Sequence, residues 1–224
     1  MSTLNLCTSN LGTDFGTLPY MEALNIQKHF HRSVVEGNLG RFLMILEHPP
    51  TYTGGRKTLE TSLQGIQVIR TDRGGDVTYH GPGQLVLYPI FPVGTEKIDV
   101  RMFVKDIENV VILTLKDLGF TPYIGEEPGI WVSENGGKKV CSIGMAIDHG
   151  VSYHGVAINY SDEAVKGFQS IRPCGMDPSV MGSLRVTRDR LKDAVLKNFD
   201  SSFGMFKIVD PSDALSMFSY PARA

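Results

Sequence analysis

The chain has 224 residues, 42% of them hydrophobic, and a formal net charge of −2. That is enough length for one sizeable core, with no global charge to draw it to nucleic acid. Apolar residues recur along the whole length, which excludes a disordered or fibrous chain, and no uninterrupted apolar run reaches the roughly 18 residues of a membrane span. Cys7, Cys141 and Cys174 form no CxxC pair, so their spacing suits neither a zinc site nor a disulfide framework and points to a reducing compartment. Met1 to Gly16 reads as neither a signal peptide nor a transit segment. The expected location is the cytoplasm, or the mitochondrial matrix if a presequence has been removed.

In chain order, Thr17 reads as an N-cap with Pro19 in the first turn of a helix, whose apolar face carries Met21, Leu24, Phe30 and Val34 and which closes at Asn38 and Gly40. Phe42 to Leu46 is a short buried strand stopped by His48-Pro49-Pro50, and a flexible stretch follows from Gly54 to Gln64. Ile66 to Arg70 and Leu85 to Ile90 read as strands on either side of a glycine-rich connection, Arg73 to Gln84. Asp99 caps a second helix with Met102, Phe103, Ile107, Val110, Val111 and Leu118 at helical spacing, ending at Gly119. Gly129 to Ser133, Lys139 to Ile147 and Val151 to Asn159 predict three consecutive antiparallel strands, the last two joined by a tight His149-Gly150 turn. A final helix spans about Thr187 to Phe199, with Leu191, Ala194, Val195 and Phe199 on one side. Hairpins with helices inserted between groups of strands predict an α/β (α+β) fold in one domain over 1–224, a mixed, largely antiparallel sheet with flanking helices.

Three places hold candidate chemistry. Cys174, in Ile171-Arg172-Pro173-Cys174-Gly175-Met176, is placed on a loop by its proline and glycine neighbours, and Arg172 favours its thiolate; the plain alternative is a small buried hydrophobe. Strand alternation puts Cys141 in the core beside Ile143, Met145 and Ile147, and puts Lys139 rather than Lys138 on that same face. A lysine there either snorkels to water or, partly desolvated, falls from about 10.4 far enough to take a proton from a thiol near 8.5. The glycine-rich segment matches neither GxGxxG nor GxxxxGK[ST], which argues against a dinucleotide site, while Arg73, Thr78 and His80 offer donors around a close backbone approach. His154 beside Gly155 marks a bulge or a ligand approach. With a two-residue turn Gly144 lies opposite Gly155, leaving a slot for a slender alkyl chain.

These residues resemble the lipoyl(octanoyl) transferases. The likeness runs in order through Glu47-His48-Pro49-Pro50, Arg73-Gly74-Gly75-Asp76-Val77-Thr78-Tyr79-His80-Gly81-Pro82-Gly83-Gln84, Gly129-Ile130-Trp131-Val132, Lys139-Val140-Cys141-Ser142-Ile143-Gly144, Tyr153-His154-Gly155-Val156-Ala157-Ile158-Asn159 and Pro173-Cys174-Gly175. The resemblance implies Cys174 as acyl-accepting nucleophile and Lys139 as its acid/base partner. It implies substrate contacts at Arg73, Gly74, Gly75, Asp76, Val77, Thr78, Tyr79 and His80, at Ser142, Ile143 and Gly144, and at Gly155, Val156 and Ala157. The implied fold is that of the biotin and lipoate protein ligases, a mixed sheet plus a smaller one. The implied reaction moves octanoyl, or lipoyl, from acyl carrier protein to a lysine of lipoyl domains, those of 2-oxoacid dehydrogenase E2 subunits and of the glycine cleavage H protein. No cofactor, metal, nucleic acid or membrane enters, and a monomer suffices. Asp76, where a neutral polar residue is common, and Met176-Asp177-Pro178-Ser179 depart from the family pattern. Oxyanion donors near Gly75 to Thr78 or beside Cys174 are both open. The rival readings are an ATP-dependent lipoate or biotin ligase, an octanoyl amidotransferase between lipoyl-domain proteins, and a non-catalytic acyl-binding protein.

Overall fold

The computed structural model describes residues 9–63, 65–125, 128–218 and 220, without the side chains of Ser62, Lys97, Asn135 and Cys174. Cys7 and Gln64 lie outside the described residues. The strands are β1 Asn10–Thr17, β2 Arg41–Glu47, β3 Thr51–Gly54, β4 Ile69–Arg70, β5 Thr78–His80, β6 Gln84–Ile90, β7 Pro122–Ile124, β8 Ile130–Val132, β9 Lys138–Asp148, β10 Val151–Asn159 and β11 Lys207–Ile208. The helices are α1 Tyr20–Val35, α2 Lys97–Asp117, α3 Asp162–Phe168, α4 Arg188–Phe203 and α5 Pro211–Met217. Eight strands form one mixed sheet in the order β11-β1-β2-β6-β10-β9-β8-β7, and β4-β3-β5 form a small second sheet. β1 pairs in parallel with β2 and β11, and the remaining ladders of the large sheet are antiparallel.

The central strands are apolar on both faces because both are covered. Leu43 and Ile45 of β2 and Leu85 and Leu87 of β6 meet Phe103, Ile107 and Val111 of α2 and Leu191, Val195 and Phe199 of α4. The alternate residues, Phe42, Met44 and Leu46 of β2 with Val86, Tyr88 and Ile90 of β6, meet Ala23, Ile26, Phe30 and Val34 of α1 and Ala214 of α5. The period of two on a strand sends neighbouring residues to opposite layers. The small sheet has its own cluster around Val77, Tyr79, Phe168 and Ile171.

The expected elements are present, with corrections at their edges. Pro19, not Thr17, is the N-cap of α1. Asp99 sits inside the first turn of α2, where its carboxylate accepts the Glu96 N–H at 3.3 Å, so Glu96 is the cap. Met21 and Met102 are exposed rather than core. The stretch read as flexible begins in β3 and contains a 3₁₀ turn at Glu60–Ser62, and the strand expected at 66–70 shrinks to β4. Among the described residues no helix is long and apolar enough to cross a membrane.

Candidate active site

The β9–β10 hairpin turns on His149 and Gly150, both with positive φ, and the register places Gly144 opposite Gly155. The side-chain-free slot expected there is occupied. A Cβ on Gly155 would stand 2.1 Å from the Leu87 carbonyl oxygen, and one on Gly144 would stand 3.0 Å from the Gly74 oxygen. These glycines admit backbone: β6 on one side, and on the other the glycine-rich segment, tied down by Gly74 N–H donating to the Met145 carbonyl at 2.8 Å.

The roofed space beside this contact is a cavity of about 290 Å³. Its floor is Val86 and Tyr88 of β6, Ser142, Ile143 and Gly144 of β9, and His154, Gly155, Val156 and Ala157 of β10. Arg73, Gly74, Gly75, Asp76, Val77, Thr78 and His80 form the opposite wall, and Tyr20, Lys57, Pro128, Lys139 and Pro173 complete it. Of the residues proposed from sequence as substrate contacts, Tyr79 alone does not line it. Strand alternation in β5 sends Thr78 and His80 inward and Tyr79 to the small sheet's cluster, where it packs against Tyr52 and Phe168. The volume is near the lower limit of small-ligand pockets, roughly 300–1,000 Å³, which favours a slender ligand.

Arg73 is buried and works as a brace. Its guanidinium donates to the Thr53 carbonyl at 2.8 Å, the Thr53 hydroxyl at 3.0 Å and the Gly74 carbonyl at 3.0 Å, fastening the roof to the small sheet. Of the amides considered for an oxyanion hole, Val77 N–H is committed to the Asp76 carboxylate at 2.6 Å.

Lys139 reaches the cavity by a device that simple alternation does not contain. β8 and β9 pair Ile130 with Cys141 but Trp131 with Lys139, so β9 holds one extra residue, Val140. The bulge turns Lys139 to the face opposite Cys141, correcting the expectation that they share one. Lys139 is 3% exposed, lines the cavity, and passes Gly129, where a Cβ would stand 2.5 Å from its Cε. Lys138 instead donates to the Ser179 carbonyl at 2.7 Å. Cys141 is fully buried, and burial pushes its thiol up to about 12, which leaves it inert. Pro173, Cys174 and Gly175 form one 3₁₀ turn, and Pro173, like Lys139, lines the cavity; the Cys174 side chain lies outside those described. The segment that follows returns to β9, where Gly182 N–H donates to the Lys139 carbonyl at 2.9 Å.

Three histidines gather at the base of this space, two of them in its lining. His48 holds Leu18 O through Nδ1 and Tyr88 OH through Nε2, each at 2.7 Å, and burial lowers it to about 4. Burial, with His48 and Arg73 nearby, keeps His80 well below the usual range. His154, with φ +55°, meets Asp72 through Nε2 at 2.9 Å. Tyr20 and Lys57 come from segments distant in sequence, and no local pattern marks them; His48 stands in the Glu47-His48-Pro49-Pro50 block, where the resemblance gives it no role. Among the described residues no group of three or more His, Cys, Asp or Glu is placed to hold a metal ion.

Residues 19–200 match the family model of the lipoyl protein ligase A/B catalytic domain. The chain belongs to this family. An octanoyltransferase of Caldicellulosiruptor saccharolyticus is 36% identical over 94% of this chain and 93% of its own length, and one of Chloroflexus aggregans is 38% identical over 76% and 81%. Within the lipoyl protein ligase A/B family the chain thus groups with octanoyltransferases, and it is an acyltransferase. Solved structures with the same fold include a lipoate-protein ligase A bound with ATP, TM-score 0.72 at 15% identity over 96% of this chain and 97% of that one. Another is a bipartite lipoate protein ligase of Thermoplasma acidophilum, described with its E2 lipoyl domain, TM-score 0.66 at 16% identity over 95% and 92%.

Proposed function

We propose that the chain transfers octanoyl from the thioester of an acyl carrier protein to a lysine of a lipoyl domain, through a thioester on Cys174 with Lys139 as acid and base. The observation that carries this reading is the bulge at Val140, which aims a buried lysine into the cavity that the Pro173–Gly175 turn borders. Lys139 takes the Cys174 proton, the thiolate attacks the carrier thioester, and Lys139 returns a proton to the leaving carrier thiol. The acceptor amine then attacks the acyl-enzyme, forming the amide and freeing Sγ. Thioester to amide runs downhill, so ATP is not consumed. Burial of the alkyl chain in the cavity, against Val86 and Ala157, supplies about 0.8 kcal/mol per methylene and a length preference. Lipoyl domains of 2-oxoacid dehydrogenase E2 subunits and of the glycine cleavage H protein are the proposed acceptors, and a single chain is the proposed working unit.

The test is the intact mass of the protein after incubation with octanoyl carrier protein and no ATP. One octanoyl adduct on the wild type and none on Cys174→Ala is the expected result. No adduct without ATP, together with octanoyl adenylate formation when ATP is added, overturns the transferase in favour of the ligase reading that the shared fold permits.

A further inference from the structure

The acceptor lysine meets the enzyme as an ammonium at neutral pH, since its ordinary pKa is about 10.4. Thioester plus ammonium gives amide, thiol and one proton. That proton must leave the cavity once per turnover, and Lys139, which takes and returns a proton in the acylation step, does not dispose of it.

The three histidines differ in where a proton can go. His48 spends both nitrogens, one on a backbone carbonyl and one on the Tyr88 hydroxyl. His80 gives Nδ1–H to the Gln84 oxygen at 2.7 Å, because the Gln84 amide nitrogen donates to Tyr79 O and Asn159 Oδ1. An amide oxygen carries no proton onward, so His80 ends as a neutral imidazole that orients what it touches. His154 gives Nε2–H to a carboxylate, Asp72 Oδ1 at 2.9 Å. Its other nitrogen accepts from the cavity-lining Tyr20 hydroxyl in a long contact of 3.5 Å. The His154 side chain is 1% exposed and that of Asp72 is 54% exposed, so the pair bridges the cavity and water. Its geometry is fixed from several sides: His154 holds a backbone conformation rare for a non-glycine residue, its N–H donates to Gln27 Oε1 at 2.8 Å, and Tyr153 OH donates to the second Asp72 oxygen.

We propose that Tyr20, His154 and Asp72 form the proton exit of the cavity, carrying to solvent the proton that amide formation releases. This rests on the octanoyl transfer proposed above. As the N–C bond forms and the C–S bond breaks, one ammonium proton returns to Sγ. The other passes through the Tyr20 oxygen onto His154 Nδ1; the imidazolium, held by the Asp72 carboxylate, gives a proton to water through that exposed carboxylate. Burial holds His154 below the usual imidazole range; Asp72 favours the cation against it, Arg73 and Lys28 oppose the cation, and His80 and Tyr20 stand beside it, so the proton is held only in passing. His154 is the proton acceptor, and Asp72 positions it.

The two half-reactions are measured separately by rapid quench: acylation by octanoyl carrier protein, and transfer from preformed octanoyl-enzyme to a lipoyl domain. Asp72→Asn, outside the cavity lining, is expected to leave acylation within about twofold and to slow transfer roughly 10²-fold at pH 7, the low end of what a positioned proton acceptor contributes; Tyr20→Phe is expected to slow transfer by a larger factor than it slows acylation. The deficit should shrink toward pH 9, as more acceptor amine is free, and on addition of imidazole. Equal slowing of both steps that neither imidazole nor pH relieves makes the pair a structural clamp on the roof and overturns the proposal, as does unchanged transfer. A wild type that forms no octanoyl-enzyme overturns the transferase reading itself, and the separate first step reveals that case.

Discussion

The two faces of the large sheet are made from alternate residues of the same strands and end in opposite chemistry. Toward α2 and α4 the sheet meets a solid layer in which Phe91, Phe103, Phe199 and Phe206 touch one another. Toward α1 the β1–β2 side is equally apolar, but from β6 to β10 it gives way to tyrosines, histidines and a cavity. One face spends its burial on stability, and the other holds polar groups in set positions around a cavity. Substitutions on the two faces should therefore separate folding from turnover.

After Cys174→Ala, the largest effect on turnover should come from Lys139→Met, which keeps most of the side-chain length and removes the amine. Acyl-enzyme formation should fall by roughly 10²–10⁴, the range of positioned acid–base groups, with a cooperative urea transition retained; a loss below fivefold would remove Lys139 from the chemistry. Phe199→Ala, on the apolar face, should cost about 3–5 kcal/mol in urea unfolding while the folded fraction keeps its KM. A raised KM there would mean that the layers are not separable.

Acid tests the polar face through His48. Its folded value near 4 lies below the usual 6.5, so between these values the unfolded chain binds more protons and stability falls as pH drops through that window. From pH 7 to 5 the loss assigned to His48 is on the order of 2 kcal/mol by linkage. Urea midpoints across that range should decline, and His48→Gln should flatten the decline; an unchanged slope would refute the assignment. The smallest expected effect is that of Thr187→Ala, which removes the side chain that accepts Arg190 N–H at the start of α4. It should lower stability by about 1 kcal/mol, seen as a shift in thermal midpoint, with both half-reactions intact.

Much of this was legible in the sequence where local rules suffice. The His149-Gly150 turn set the Gly144–Gly155 register, and the spacing of Phe103, Ile107, Val110 and Val111 gave α2 its buried side. β1 escaped because Asn10–Thr17 is polar and glycine-bearing and is a strand only through its parallel pairing with β2 and β11. α3 and α5 are seven residues each, too short for a period to declare itself. The motif segments at Arg73 to His80, Ser142 to Gly144 and Gly155 to Ala157 do converge on one cavity, apart from Tyr79. Tyr20 and Asp72 stayed hidden because their significance lies in contacts across distant segments, and His48, though part of a motif block, shows its contacts to Leu18 and Tyr88 only in the fold.

Val140 shows what a residue can do by being counted rather than by what it carries. In a strand that ran regularly, Lys139 would fall in step with Cys141 and face the phenylalanines, and its neighbour would face the cavity. Removing Val140 altogether would restore a regular ladder with Lys139 still opposite Trp131, pointing as it does now. The aim of the amine is thus a matter of odd or even, a property that a residue-by-residue comparison of two chains misses and a comparison of their lengths at this strand detects.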